Sequence, residues 1–309
     1  ATDGIPAANV PADSSRVFTG SEGILGIVTK ATMRVYPKES AFQVVAIAFD
    51  KLEDALEAIN AVLENGITPH TVHVVDGNFL DNLRKVGKEA PNVKGLAIVA
   101  LEAPTQSELE NLVNNLSKIC ATRGGKDLDL EVARREWDAR FKVELLFKRL
   151  GPTFLTIELL VPMVKASEIS KKWNEIARES ALTLNYFVIV GHGHLAAMLP
   201  LILVDERQEG EFIKTAAVLM KMLSEGLELG GRLCYVGAYS TPYADKKFGV
   251  EVDGLRKIKA ALDPQSIMNP YKVVKGRFPP WLFKIAMRFM ATSPVWLNSI
   301  AIKVAGLFS

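Results

Sequence analysis

The sequence predicts an α+β protein in which helices cover an antiparallel sheet. Apolar and β-branched runs such as Ala41–Phe49 alternate with segments of helical spacing such as Leu52, Ala55, Leu56, Ile59 and Val62. The runs at 184–190 and 196–204 flank only a short Gly-His-Gly-His link, which favours a hairpin-like antiparallel pair. A content of 49% hydrophobic and 23% charged residues is that of a packed globular chain, and 309 residues suffice for about two domains.

Residues 1–17 contain Pro6, Pro11 and small residues without a period, and read as irregular. A strand is expected from Ile27-Val28-Thr29 through Ala31 to Tyr36, stopped by Pro37. Ala41–Phe49 reads as a buried strand, Asp50 as the N-cap of the next helix, and Gly66 as its end. Strands follow at 71–75 and 95–101, then a helix over 105–122 closed by Gly124 and Gly125. A strand at 128–132 precedes a charged helix at 133–148. A strand at 153–161 precedes a helix at 166–180. The hairpin strands lead into a helix over 206–227 that stops before Gly230 and Gly231.

The net charge of +2 carries no signal for a nucleic-acid partner. Cys120 and Cys234 are too few for a disulfide framework or a cysteine metal cluster, and fit a reducing compartment. No apolar run reaches the roughly 18–20 residues that a membrane-spanning helix needs.

The stretch from Phe18 to Thr29 places Gly20, Gly23 and Gly26 at every third position before a β-branched run. Glycine permits positive φ and has no Cβ, so main-chain N–H groups in such a turn can meet a phosphate or the edge of a flat ring. A tight turn without a ligand has the same spacing. As a whole, residues 13–37 resemble the closing segment of the PCMH-type FAD-binding domain in vanillyl-alcohol-oxidase-type flavoproteins, in the branch of the D-lactate, glycolate and D-2-hydroxyglutarate dehydrogenases. Gly66-Ile67-Thr68-Pro69 followed by Asp76 resembles a second signature of that family, with His73 where an acid usually stands. Trp137 and Arg140 resemble its Trp-x-x-Arg, and Leu160-Val161-Pro162 resembles its strand end before the substrate region. Residues 262–272 resemble the segment that returns to the FAD, with Tyr271 in place of the usual glycine.

The resemblance implies FAD as cofactor, contacted by Gly20, Ser21, Gly23, Gly26, Ile27, Val28, Asn269 and Lys272. It implies four regions: the end of an FAD-binding domain at 1–40, a cap (substrate) domain at 41–261, the returning segment at 262–275, and a tail at 276–309. In the family a pyrophosphate-gripping portion precedes the glycine segment. Another chain or a further N-terminal segment is therefore expected to complete the FAD site.

His192 and His194 are half of the four histidines. Positions i and i+2 of a strand point the same way, so two imidazoles could share one ligand. In the family this place carries His-x-Gly-Asp-Gly-Asn-Leu-His, whose histidines bind a metal together with a later glutamate. Gly191 and Gly193 match that motif, but the metal histidines fall at Ile189 and Ala196, and residues 234–239 lack the later acid and histidine. No metal is therefore expected. The pair reads as a proton-handling pair facing the flavin or as a hydrogen-bonded pair without a catalytic role. Arg140 suits a substrate carboxylate, and equally a solvated charged helix. Tyr239, grouped with Tyr235 and Tyr243, is a candidate hydrogen-bond donor to substrate, or a packing residue.

Residues 276–309 contain Arg277, Lys284, Arg288 and Lys303 and no acid. Leu282, Ile285, Phe289 and Met290 form one apolar face, and Leu297, Ile300, Ala301, Val304 and Phe308 a second; Trp281 and Trp296 stand at the two starts. Short basic helices bearing tryptophan suit a membrane surface, a partner groove or their own domain. The expected protein is an FAD-dependent oxidoreductase of 2-hydroxy acids, peripheral at the cytoplasmic face of a membrane. It is expected to work in a complex with an iron–sulfur or membrane subunit, with His192 or His194 as base and Arg140 on the carboxylate. The rivals are a flavin-binding scaffold subunit and a same-fold enzyme acting on a lipid-linked or phosphorylated alcohol.

Overall fold

The computed structural model describes residues 15–140, 147–191, 194–234, 240–270, 272–274, 279–294 and 297. The described residues form two compact units, one drawn from 1–38 with 233–286 and the other from 39–232 with 287–309.

The larger unit is built on an antiparallel sheet. Its strands are β1 (Ala41–Phe49), β2 (Thr71–Asp76), β3 (Gly95–Ala103), β4 (Lys126–Asp127), β5 (Thr153–Thr156), β6 (Leu159–Pro162), β7 (Asn185–Val190) and β8 (Leu195–Val204). They lie in the order β4-β1-β3-β2-β7-β8-β6, with β5 also against β8. β1 and β3 are buried along almost their whole length, so their apolar runs do not alternate with polar residues. β5 and β6 share one register along β8 and are interrupted opposite Leu199 and Pro200, where proline brings no N–H to the ladder. This splits the single strand expected at 153–161.

Four helices cover one face: α2 (Leu52–Glu64), α4 (Gln106–Ala121), α6 (Met163–Glu179) and α7 (Glu209–Glu228). The apolar face expected for α2 is the one it buries. Its N-cap is Lys51, one residue later than Asp50, and no side chain caps it. α4 starts with a capping box between Thr105 and Glu108, whose backbone N–H groups and side chains bond reciprocally at 3.1 and 3.3 Å. Trp173 anchors α6: it is fully buried, stacks on Tyr186 at 6.5 Å, and donates from Nε1 to the Met222 carbonyl of α7 at 2.8 Å. Burying one such ring stabilises by about 3 kcal/mol.

The second face also carries helices. α3 (Gly77–Lys85), α5 (Leu130–Ala139) and the 3-10 turn Phe147–Arg149 pack over Val44, Ala46, Val75, Leu96, Ile98 and Phe187. The expected strand at 128–132 is replaced: β4 stops at Asp127, and Asp129 begins α5 with Glu131 in its first turn. α3 was not anticipated, although Asp76 before it and Arg84 and Lys85 at its end suit the helix dipole.

The smaller unit contains α1 (Ser15–Phe18), the glycine turn, an extended segment to residue 38, and α8 (Thr241–Leu262) with the loop after it. The strand expected at 27–36 does not form. No ladder partner for it occurs among the described residues. α9 (Pro280–Thr292) coincides with the first tail helix, and the second lies almost wholly outside the described residues.

Asp76 fixes α3 to the sheet. It is buried, and its Oδ1 accepts from the Phe79 amide at 3.0 Å and from the Tyr186 amide of β7 at 2.9 Å. Burial pushes its carboxyl up to about 7, against the pull of those amides. Asp76→Ala leaves two buried N–H groups without an acceptor and should cost about 2–4 kcal/mol in urea unfolding. Asp76→Asn, which keeps the acceptor oxygen, should cost less than half of that.

Candidate functional site

Pairing across the sheet places one row of side chains on the face under α3 and α5: Ala46, Ile98, His73, Ile189, Ala197 and Leu160. His73 is the one polar member of that row. Around it, Phe79, Leu83, Phe187, Glu136 and Arg140 line a cavity of about 20 Å³, room for a single water-sized group. The His73 ring lies 5.3 Å from Phe187 and 6.3 Å from Trp137. Its Nδ1 is the one buried side-chain nitrogen or oxygen without a hydrogen-bond partner among the described residues.

α5 supplies the charged side. Arg140 lies over the Trp137 ring, its guanidinium carbon 3.5 Å from the centroid, and donates to the Trp137 carbonyl. Glu136 is buried and accepts from Arg135 Nε at 3.3 Å; Arg135 also reaches Glu89 at 3.1 Å. Burial raises the Glu136 carboxyl above the ordinary range, against the pull of Arg135. Burial, with a smaller part from the Arg140 charge, lowers His73 to about 4, so its imidazole is neutral at pH 7. A guanidinium beside a neutral imidazole in a water-poor pocket can take a small anion bearing a hydroxyl or carbonyl oxygen.

The smaller unit gathers the glycine turn and the returning segment. Gly20 and Gly23 have φ of +79° and +75°, in the left-handed region that favours glycine. Ser21, between them, and Ile24, just after Gly23, are buried. Lys259 Nζ donates to the Ile24 carbonyl at 2.7 Å, to the Met268 carbonyl and to the Asp263 carboxylate, which uses all three of its hydrogens. The Lys259 hydrogen bond holds the Asp263 carboxyl below its usual range. Asn269 Nδ2 donates to the Glu22 carbonyl, and Lys272 Nζ lies 3.8 Å from the Glu22 carboxylate. Gly20 and Ser21 line a cleft of about 240 Å³ with Thr19 and with Gly254, Leu255 and Ile258 of α8.

The expected site residues are thus distributed unevenly. Gly20, Ser21, Gly23, Gly26, Asn269 and Lys272 share one unit, with Asn269 and Lys272 turned onto Glu22. Ile27 and Val28 are 82% and 69% exposed on unpaired backbone. Arg140 lies in the cavity. His194 is exposed at the β7–β8 turn with φ +57°, and its carbonyl accepts from the Met163 amide. His192 and Tyr239 lie outside the described residues. Tyr243 is buried in α8. Two residues with parts in these arrangements were not selected from sequence: Lys259, signalled only by its i,i+4 spacing to Asp263, and His73, signalled by its place in a strand of otherwise apolar alternation.

Residues 38–273 match the family described as FAD linked oxidases, C-terminal domain, and the chain belongs to that family. The chain is 26% identical over 274 residues to the glycolate oxidase subunit GlcD of Bacillus subtilis, covering 84% of this chain and 57% of the relative. It is 27% identical over 266 residues to the D-lactate dehydrogenase of Archaeoglobus fulgidus, again covering 84% and 57%. The chain spans little more than half the length of these curated relatives. Among solved structures, 4-ethylphenol oxidase from Gulosibacter chungangensis shares the fold at a TM-score of 0.64 and 15% identity, over 81% of this chain and 56% of that one.

The main chain of Gly26, Ile27 and Val28 makes no ladder or turn hydrogen bond among the described residues, so its donors and acceptors are open to a ligand.

His73 bears on stability through pH. Its pKa is lower folded than unfolded, so the stability it permits is present above about 6.5 and is lost as pH falls towards about 4. His73→Leu removes that loss. Relative to the parent, the variant should gain up to about 3 kcal/mol in urea unfolding between pH 7 and 4.5.

Proposed function

We propose that this chain is the cap-bearing part of an FAD-dependent oxidoreductase that oxidises small 2-hydroxy acids of the glycolate or lactate kind. One observation carries the reading: Arg140 and His73 meet in a small apolar-walled cavity on the sheet of an FAD-linked oxidase domain. Relatives named for glycolate and D-lactate oxidation support the substrate class. Arg140 pairs with the carboxylate, and Phe79, Leu83 and Phe187 thin the water around that pair and strengthen it. Gly20, Ser21, Gly23, Gly26, Ile27 and Val28 hold an edge of the FAD, while Asn269 and Lys272 hold the turn in shape through Glu22. When bound, FAD supplies the acceptor for the hydride of the substrate carbon. A side-chain base takes the hydroxyl proton. Tyr239 serves as a hydrogen-bond donor to substrate.

Another chain, or a further segment, completes the FAD site and covers the exposed apolar side chains of 27–36. Met33, Val35 and Tyr36 are each more than three-quarters exposed, which supports this. Electrons leave to a membrane or iron–sulfur acceptor. The tail seats the protein on the cytoplasmic face of a membrane: Trp281 and Ile285 of α9 are 64% and 61% exposed, and the residues after 275 contain bases and no acid.

Purified with its natural partners and kept from oxygen, the protein should show visible flavin absorbance that glycolate or D-lactate bleaches. Arg140→Ala should weaken substrate use about 10- to 100-fold, as expected for losing a charge-assisted pair. A flavin that no 2-hydroxy acid bleaches removes this substrate class. Truncation after Lys275 should move the protein from the membrane pellet to the supernatant in a flotation assay; unchanged flotation assigns the tail another role.

A further inference from the structure

We propose that His73 is a substrate-contacting residue of this site: its Nδ1 receives the hydroxyl hydrogen of the 2-hydroxy carboxylate whose carboxylate Arg140 holds. The inference rests on the reading above for the substrate class, and on the cavity itself for the geometry. His73 stands alone as a polar side chain in a row of apolar ones, opposite Ile189 of β7 and Ile98 of β3. A buried imidazole nitrogen without a partner is costly, and the row would pack equally well with an aliphatic residue. The space beside it holds one water-sized group, which is the size of a hydroxyl. Arg140 is only partly buried, so a carboxylate can meet it while the neighbouring hydroxyl enters the cavity.

The charges around the ring agree with this placement. Arg140 and Glu136 are the charged groups of the cavity lining, and Arg135 neutralises Glu136 from behind. α3, β3 and β7 present Phe79, Leu80, Leu83, Ile98 and Phe187, none of which titrates. Burial, and to a smaller extent Arg140, keep the imidazole neutral, and in its Nε2–H tautomer the Nδ1 lone pair is an acceptor. With FAD bound as the proposed function has it, the O–H bond would break towards Nδ1, its electron pair would become the second bond of the new carbonyl, and FAD would accept the hydride. The acid becomes a 2-oxo acid, and the proton remains on His73.

The test uses the full chain labelled with ¹⁵N-histidine. With four histidines, His73→Leu assigns the signal. On titration with D-lactate or glycolate at pH 7, the His73 Nδ1 resonance should shift as its lone pair takes up the hydroxyl hydrogen, while acetate, which lacks the hydroxyl, should leave Nδ1 where it was. Arg140→Ala should abolish the response. In the complete flavoprotein, His73→Leu should slow bleaching by at least about 100-fold, the usual scale for a lost general base. His73→Gln, which keeps an acceptor but cannot hold the proton, should restore substrate affinity but not rate. An Nδ1 signal indifferent to D-lactate and glycolate, or equally responsive to acetate, overturns the proposal even where the flavin bleaches. A responsive signal with a flavin that never bleaches keeps this binding site and overturns the oxidation instead.

Discussion

The cavity depends on one carboxylate. Asp76 ends β2, accepts the first free amide of α3 and accepts a backbone amide of β7. Those two bonds set where Phe79, Leu80 and Leu83 hang over the sheet and hold Phe187 beside them. His73 lies three residues back on the same strand. Its position follows from the register that Asp76 closes. Asn82 extends the connection, donating to Asn185, which in turn donates to the Leu201 carbonyl of β8. A helix end, two strands and the walls of the cavity are thus tied to a short polar chain, in which the buried groups are satisfied.

The smaller unit uses the same device with opposite charge. The Lys259 ammonium is buried, and its three hydrogens go to Ile24, Met268 and Asp263. It joins the glycine turn to a loop more than 200 residues later in the chain. Asp263 in turn accepts from the Ile267 and Met268 amides. The turn is therefore shaped from within, and its outer backbone stays available. The segment beyond it has the alternation of a strand but no ladder among the described residues.

Residues 38–273 belong to a family of FAD-linked oxidases, and in the sheet of that region His73 stands directly across the ladder from Ile189. The imidazole is thus set among apolar side chains, with the Phe187 ring 5.3 Å away.

The sequence alone determined the α+β class, the positions of most strands and helices, and the glycine turn. Each is written in local terms: period, caps and glycine spacing. α3 was missed because nine residues after a strand give too short a period to read, and the strand at 27–36 was overread because alternation does not supply a partner. The tertiary structure decided the rest. Lys259 meets Ile24 and His73 meets Arg140 only when segments distant in the chain are packed together. A buried nitrogen without a partner is a property of its surroundings, which no spacing in the chain records.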